Sequence, residues 1–486
     1  DSRRLDRYTD RCYNLCRVFC SAAAHGPAAD GCMGVPETEA RMRATKKTLL
    51  GLTGALAACI AAVLLLTFTG NGREAEDHAH TYYFTTYDSP EDLVLASVEN
   101  STGSVVLAAS GGTYYTVGDL KLSADGAQVQ SFFETVYKLP MKRLLDEADA
   151  SDPQYGLTDP QAEILIQDTA EGGVLFRVGS ATPDGEGYYA CLSGDTRVFI
   201  MDQAYGAIFL NNVNRFYDLS LYPSLMGDDL GGLRGLSVER GGKQVYALTF
   251  SATQDGSVTL FSMTEPYALP LGAAQTKNEI LTPLRDLRGV DALNKPEDLT
   301  LYGLTDGAGK FVLTYEDGTM AVIRVGRQEG AGTYVLREGS DVVMLVPTAN
   351  LSFFYNTVLQ VMGQNLVSVS LGDLASLRIG DHTYQISGTP PALKITLDGS
   401  EEPLDAFQNG VYTALNRISV QGAWDGGEKT EPLLKMQIEI KYADGTTRTT
   451  DYAFYELEDR RCGVAVNGQP VFICSRSAVQ ALVETP

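Results

Sequence analysis

The pentapeptide Tyr-Gly-Leu-Thr-Asp occurs twice in this chain, at Tyr155–Asp159 and at Tyr302–Asp306, 147 residues apart (302 − 155). A fixed offset of this size means that one structural unit has been written more than once, which excludes most single-domain architectures. The match extends on both sides. Downstream, Arg177-Val178-Gly179 and Arg324-Val325-Gly326 keep the offset of 147, and Tyr189 and Tyr334 follow at 145, so the second copy has lost two residues in a turn. Upstream of the first copy, Val129, Phe132, Phe133, Val136 and Tyr137 fall at i, i+3, i+4, i+7 and i+8, the spacing of one helix face. Upstream of the second lie Ile280, Leu281, Leu284 and Leu287, with Pro283 among them. That helix is expected to be short or to start near Thr282, with Pro283 at the first helical position.

A third copy without the pentapeptide closes the chain. Its helix is carried by Phe407, Val411, Leu415 and Ile418, and Met436, Ile438, Ile440 and Tyr442 alternate before a turn at Asp444-Gly445. Val471-Phe472-Ile473 stands under Val198-Phe199-Ile200. Each copy opens with a strand, a polar turn and a strand, at 92–117, 232–250 and 373–389, and ends in a helix, at 203–216, 350–362 and 477–484. One unit therefore reads as two strands, a helix, the Tyr-Gly-Leu corner, a meander of about four short strands and a closing helix. Alternating segments joined by glycine-rich turns predict an α+β tandem repeat of mainly antiparallel β-meander units with packed helices. The expected units are 91–227, 228–371 and 372–486.

The corner itself is expected to stand where a helix hands over to a strand. Gly156 and Gly303 would take positive φ there. Tyr155, Leu157, Tyr302 and Leu304 would pin the corner to the sheet, and Asp159 and Asp306 would bond nearby backbone.

The first 90 residues differ from the rest. Residues 1–41 carry Cys12, Cys16, Cys20 and Cys32 in no standard zinc spacing, and read as a non-native leader ahead of a start at Met42. Residues 42–71 read as a signal-anchor. Arg43, Lys46 and Lys47 precede Thr48–Thr69, 22 residues without a charge, enough to cross a hydrocarbon core of about 30 Å. Glu74, Glu76 and Asp77 follow, so the bulk of the chain is expected outside the cytoplasmic membrane, behind one N-terminal transmembrane helix and a linker at 72–90. Lipidation at Cys59 and simple cleavage stay open as alternatives.

Beyond the linker the cysteines are Cys191, Cys462 and Cys474, too few for a disulfide framework. Cys462 and Cys474 flank a hairpin expected at Asn467-Gly468, and the sequence leaves open whether they are bonded. The net charge of −23 disfavours nucleic acid as a partner. No nucleophile elbow, zincin helix or phosphate loop occurs. Gly185 and Gly187 belong to a hairpin turn. Of four histidines, His78 and His80 form a weak chelator in the linker, His25 lies in the leader and His382 stands beside Asp381. The carboxylate pairs Asp146/Glu147, Asp228/Asp229 and Glu401/Glu402 read as charged surface. No catalytic, cofactor or metal residues are expected. Many of the 25 tyrosines sit at alternating strand positions, as Tyr188, Tyr189 and Tyr315 do, where β-propensity explains them.

The order of anchor, helix, Tyr-Gly-Leu, Phe-Arg-Val-Gly, the Tyr188-Tyr189 strand, Val198-Phe199-Ile200 and closing helix resembles the bacterial domain of unknown function 4340, over most of 91–486. The resemblance implies a membrane-anchored protein of the cell envelope, associated with an ABC-type transport system of the gliding-motility kind. It implies no known activity and carries no catalytic residues. The expected function is a non-enzymatic accessory or scaffold subunit, with transporter subunits as partners. An envelope-polymer or carbohydrate-binding module, its partner a cell-wall polymer, is the alternative, and an unrecognised hydrolase the third.

Overall fold

A computed structural model of the chain describes residues 82–484, apart from 171, 253–257, 428–430 and 443–444. The expected leader, the span Thr48–Thr69 and residues 72–81 of the linker lie outside these residues. Among the described residues no helix is long and apolar enough to cross a membrane.

The chain divides between Leu219 and Ser220 into two compact units. The first holds one sheet of eight strands: β1 (Leu93–Asn100), β2 (Gly103–Ser110), β3 (Thr113–Gly118), β4 (Arg143–Asp149), β5 (Ala162–Asp168), β6 (Gly173–Ala181), β7 (Gly187–Leu192) and β8 (Arg197–Asp202). Their spatial order is 3-2-1-5-6-7-8-4. Two meanders are thus joined through the antiparallel pair β1–β5, and β4 closes the far edge on β8. The helix Gly126–Val136 connects β3 to β4. Asp125 caps it by accepting from the Gln128 amide, and its apolar stripe Val129, Phe132, Phe133 and Val136 is buried as the spacing predicts. Phe132 meets Phe216 and Phe209 edge-on, with centroids 5.3 and 6.0 Å apart, and Phe209 meets Phe176 of β6 at 5.3 Å. This aromatic chain is the core between helices and sheet.

The second unit holds two sheets of nine strands. The first comprises β9 (Leu233–Arg240), β10 (Lys243–Ala252), β11 (Val258–Glu265), β12 (Leu269–Leu271), β13 (Asp291–Asn294), β14 (Gly309–Tyr315), β15 (Met320–Glu329), β16 (Gly332–Arg337) and β17 (Val342–Pro347). The other comprises β18 (Leu374–Ile379), β19 (His382–Ser387), β20 (Lys394–Leu397), β21 (Ser400–Glu402), β22 (Val420–Ala423), β23 (Leu434–Lys441), β24 (Thr447–Glu456), β25 (Arg461–Val466) and β26 (Gln469–Ser475). Their orders, 12-11-10-9-14-15-16-17-13 and 21-20-19-18-23-24-25-26-22, are the same topology. It is also that of the first sheet with one strand added to the opening meander. The third sheet is therefore a true copy although it lacks the pentapeptide.

Three expectations need correction. The opening of each copy holds three or four strands, not two. The extra strands are β3 in the first copy, β11 and β12 in the second, and β20 and β21 in the third; β12 and β21 are three residues long, too short to show a period of two. The helix of the second copy starts at Ala273, not near Thr282. It runs through Ala273–Thr276, a π-turn at Lys277–Leu281 and Thr282–Asp286. The Thr282 amide reaches back five residues to Lys277, so the wide turn comes just before Pro283 and accommodates a residue with no N–H to give. The third copy places a π-turn, Gln408–Tyr412, at the same point of its helix. Finally, the Tyr-Gly-Leu corner follows the far-edge strand, not the helix.

Within the second unit the two sheets meet through β11 and β12. Tyr267 lies edge-on to Phe472 with centroids 5.5 Å apart, and the Asn467 side chain donates to the Ala268 carbonyl at 3.2 Å. All three residues of β12, Leu269, Pro270 and Leu271, are buried. Its counterpart β21 reads Ser400-Glu401-Glu402 and is exposed or half-exposed.

Candidate functional site

The residues that the first two copies share build one corner, twice. Pro153–Tyr155 and Thr300–Tyr302 form single 3-10 turns, and each ends on a left-handed glycine, Gly156 or Gly303, both at φ 67°. Leu157 is buried with Cys191 and Val198, and Leu304 with Leu336 and Val343. Tyr155 meets Tyr189, and Tyr302 meets Tyr334, edge-on at 4.9 Å in both copies. The second glycine of the shared pattern explains itself here. A Cβ on Gly179 would stand 2.1 Å from the Tyr155 carbonyl oxygen, and one on Gly326 2.2 Å from that of Tyr302. The Arg-Val-Gly glycine thus lets the corner lie directly on the sheet. Asp306 does not bond backbone as expected. It accepts from Arg324 Nη1 at 2.8 Å, and Arg324 also pairs with Glu338. Asp159 sits exposed at the matching place.

The third copy solves the same corner with different residues. Val178 pairs with Ala190 and Ala190 with Phe199; Phe454 pairs with Val464 and Val464 with Phe472. In this register Tyr455 is level with Gly179, and Gly463 with Tyr189. The glycine and the tyrosine have changed places. The volume is restored by Trp424, whose ring would lie 2.7 Å from a Cβ on Gly463 and whose centroid is 5.6 Å from that of Tyr455. No sequence pattern announces this exchange, because the three residues lie 31 and 8 positions apart and only the pairing brings them together.

The remaining candidates resolve as follows. Tyr217, Tyr246, Tyr384 and Tyr452 are among the most deeply buried side chains, so these four belong to the core. Asp146/Glu147 and Asp228/Asp229 are exposed, and Glu401/Glu402 are exposed and half-exposed. His382 does not stand alone: its Nδ1 lies 2.8 Å from Asp398 Oδ2. Asp398 also accepts from the Thr383 amide, and these bonds, His382 first, hold its carboxyl below the usual range. Asn467 and Gly468 form the predicted hairpin, both with positive φ. Cys462 and Cys474 face each other across it as free, buried thiols. Burial pushes the Cys474 thiol up to about 12 and the Cys191 thiol up to about 11, so both remain protonated at neutral pH. Among the described residues no group of three or more potential ligands could hold a metal ion; His78 and His80 lie outside them.

Two features at the junction of the second and third sheets went unread in the sequence. One is a small polar pocket whose lining includes Ser262, Ser368, Ser370, Asp373 and Tyr442, with Ser262 Oγ 3.2 Å from Tyr442 Oη. Its volume of about 20 Å³ holds one water and no substrate. Burial holds the Asp373 carboxyl above the usual range, against the opposing pull of the Ser370 hydrogen bond and Lys441. A raised folded-state pKa stabilises the fold below the unfolded value, near 4, and that contribution is lost as pH rises through the folded value. Asp373→Asn is therefore expected to melt higher than the parent at pH 7, with the difference closing below about pH 4. Melting curves across pH 3–8, a range set to bracket the usual carboxylate value, check this, and a difference that widens in acid contradicts it. The other feature is an open cleft lined in part by Arg234, Glu316, Tyr442 and Arg448.

A family model described as "Domain of unknown function (DUF4340)" matches the chain twice, over residues 115–306 and 262–433. The two matches begin 147 residues apart (262 − 115), the offset of the pentapeptides. Together they span 115–433 of the 486 residues. No curated protein and no solved structure matches the chain.

Proposed function

The chain belongs to the DUF4340 family, and from that premise we propose that it is a non-enzymatic accessory or scaffold subunit of a bacterial envelope complex. In this reading Thr48–Thr69 holds it in the cytoplasmic membrane as a single span, and the three sheets stand outside. One observation carries the scaffold role. The side chains and glycines that recur from copy to copy, Tyr155, Gly156, Leu157, Gly179 and Tyr189 with their counterparts, all serve to seat a corner on a sheet. What the repetition multiplies is surface, and tandem units of one topology offer extended docking faces. What supports a transporter as the partner is that genes of this family often neighbour an ABC-type transport system.

The test is recovery from native membranes. Full-length tagged protein is crosslinked in place, solubilised gently and its companions identified. A transporter permease or ATPase in stoichiometric amount is the expected result. Recovery of the protein without any stoichiometric partner refutes the scaffold reading.

A further inference from the structure

We propose that Cys462 and Cys474 are a disulfide site: given a disulfide oxidant, their sulfurs join across the β25–β26 hairpin and staple it shut. The supply of that oxidant rests on the envelope placement; the geometry does not. Cys462 on β25 is paired directly with Cys474 on β26, with no shift of register from Arg461 to Val464. Two steps outward along the same register, the Arg476 amide donates to the Arg460 carbonyl at 2.9 Å. Hydrogen-bonded pairs recur at every second residue of an antiparallel ladder, so Cys462 and Cys474 form one too, with Cα atoms about 5.5 Å apart. A disulfide needs about 4.4–6.8 Å. Opposed residues point to the same face of a sheet, and both cysteines are 0% exposed. In the reduced chain they are free thiols.

The fold does not demand cysteine at this pair. In the matching register the first copy sets Tyr188 opposite Met201, and the second sets Thr333 opposite Val346. The hairpin so closed is also the one that meets the second sheet, through Asn467 on Ala268 and Phe472 on Tyr267. The step is a thiol–disulfide exchange. One protein thiolate attacks a sulfur of the oxidant, an external disulfide, and expels one of its thiolates. The other protein thiolate attacks the protein sulfur of that mixed disulfide and expels the second. Two protein thiols lose two protons and two electrons, and the oxidant becomes two thiols. Burial decides when this happens. It pushes the Cys474 thiol up to about 12 and raises that of Cys462, so the folded hairpin does not supply the attacking thiolate. The bond closes during folding, while the hairpin is open, and is then shielded from reductant.

Trypsin reads the bond directly, because Arg461 and Arg476 bound a peptide, 462–476, that carries both cysteines and no third. The full chain is solubilised, reduced, unfolded and refolded with oxidised glutathione or with a thiol reductant. Its remaining thiols are then alkylated in denaturant and the chain is digested. After oxidised glutathione the peptide is expected two hydrogens lighter than its reduced form and free of alkyl groups. Return of the reduced parent's Trp424 emission reports that the third sheet has refolded. The bonded chain should melt on the order of 5 °C above the reduced one. The double variant Cys462→Thr with Cys474→Val installs the second copy's pair, and should fold and melt alike under both conditions. Alkylation of both cysteines in the refolded chain, a bond from either to another peptide, or equal melting of bonded and reduced chains overturns the proposal. The same digest of chain alkylated as native membranes are lysed tests the placement separately. A bond formed on refolding yet absent there upholds the staple and overturns the envelope placement.

Discussion

Replacing Gly326 by valine is expected to destabilise the second unit by about 3 kcal/mol or more, on the order of 5–10 °C in melting temperature. The reason is space and not backbone strain. The first side-chain atom alone would stand 2.2 Å from the Tyr302 carbonyl oxygen and 2.9 Å from Leu304 Cγ. Neither can retreat: Leu304 is buried beneath Leu336 and Val343, and the Tyr302 ring is fixed edge-on to Tyr334. Gly179→Val should behave alike in the first unit, against Tyr155. Gly318→Ala is the comparison. It takes φ 81° with nothing near its missing Cβ, so its penalty is the left-handed conformation alone, about 1–2 kcal/mol. Denaturant melts of the three variants give the order. If Gly326→Val proves no more harmful than Gly318→Ala, the corner yields and is not the rigid seat described.

Trp424→Ala should cost about 3–5 kcal/mol, the range for removing a large aromatic from a core. Trp424 is 8% exposed and fills the place over Gly463 that a tyrosine fills in the other copies. It is the single tryptophan of the chain, so its emission follows the third sheet alone. The exchange of residues makes a sharper test. Gly463→Tyr alone should be strongly destabilising, because the new side chain meets the indole. Combined with Trp424→Ala it should be far less so, because the tyrosine then occupies the vacated space. A coupling of more than about 1 kcal/mol between the two changes is expected. Simple additivity would show that the three corners are not variants of one solution.

Much of this architecture can be read in the chain directly. The 147-residue offset, the apolar stripe at Val129, Phe132, Phe133 and Val136, the glycine turns and the alternating strands are local signals. Each depends on residues a few positions apart, obeying the helical or the pleated period. They specify three copies, antiparallel meanders, a helix in each and left-handed glycines at 156 and 303. They do not specify which strand lies beside which, since pairing joins residues far apart and leaves no period behind. β4, β13 and β22 cross to the far edge of their sheets, and nothing in their sequences says so.

The sites divide along the same line. Tyr155, Gly156 and Leu157 stand out because they are repeated as a string. Gly179 is repeated too, yet its purpose appears only when the Tyr155 carbonyl is placed above it. Trp424, Tyr455 and Gly463 form a third corner by exchange, invisible without the register of β24 and β25. By itself the sequence determined the repeat, its elements and its turns, because these follow from backbone geometry over short spans. The tertiary structure alone decided the order of strands and the exchange at the third corner, because close packing and hydrogen-bond satisfaction are settled between residues that the chain keeps far apart.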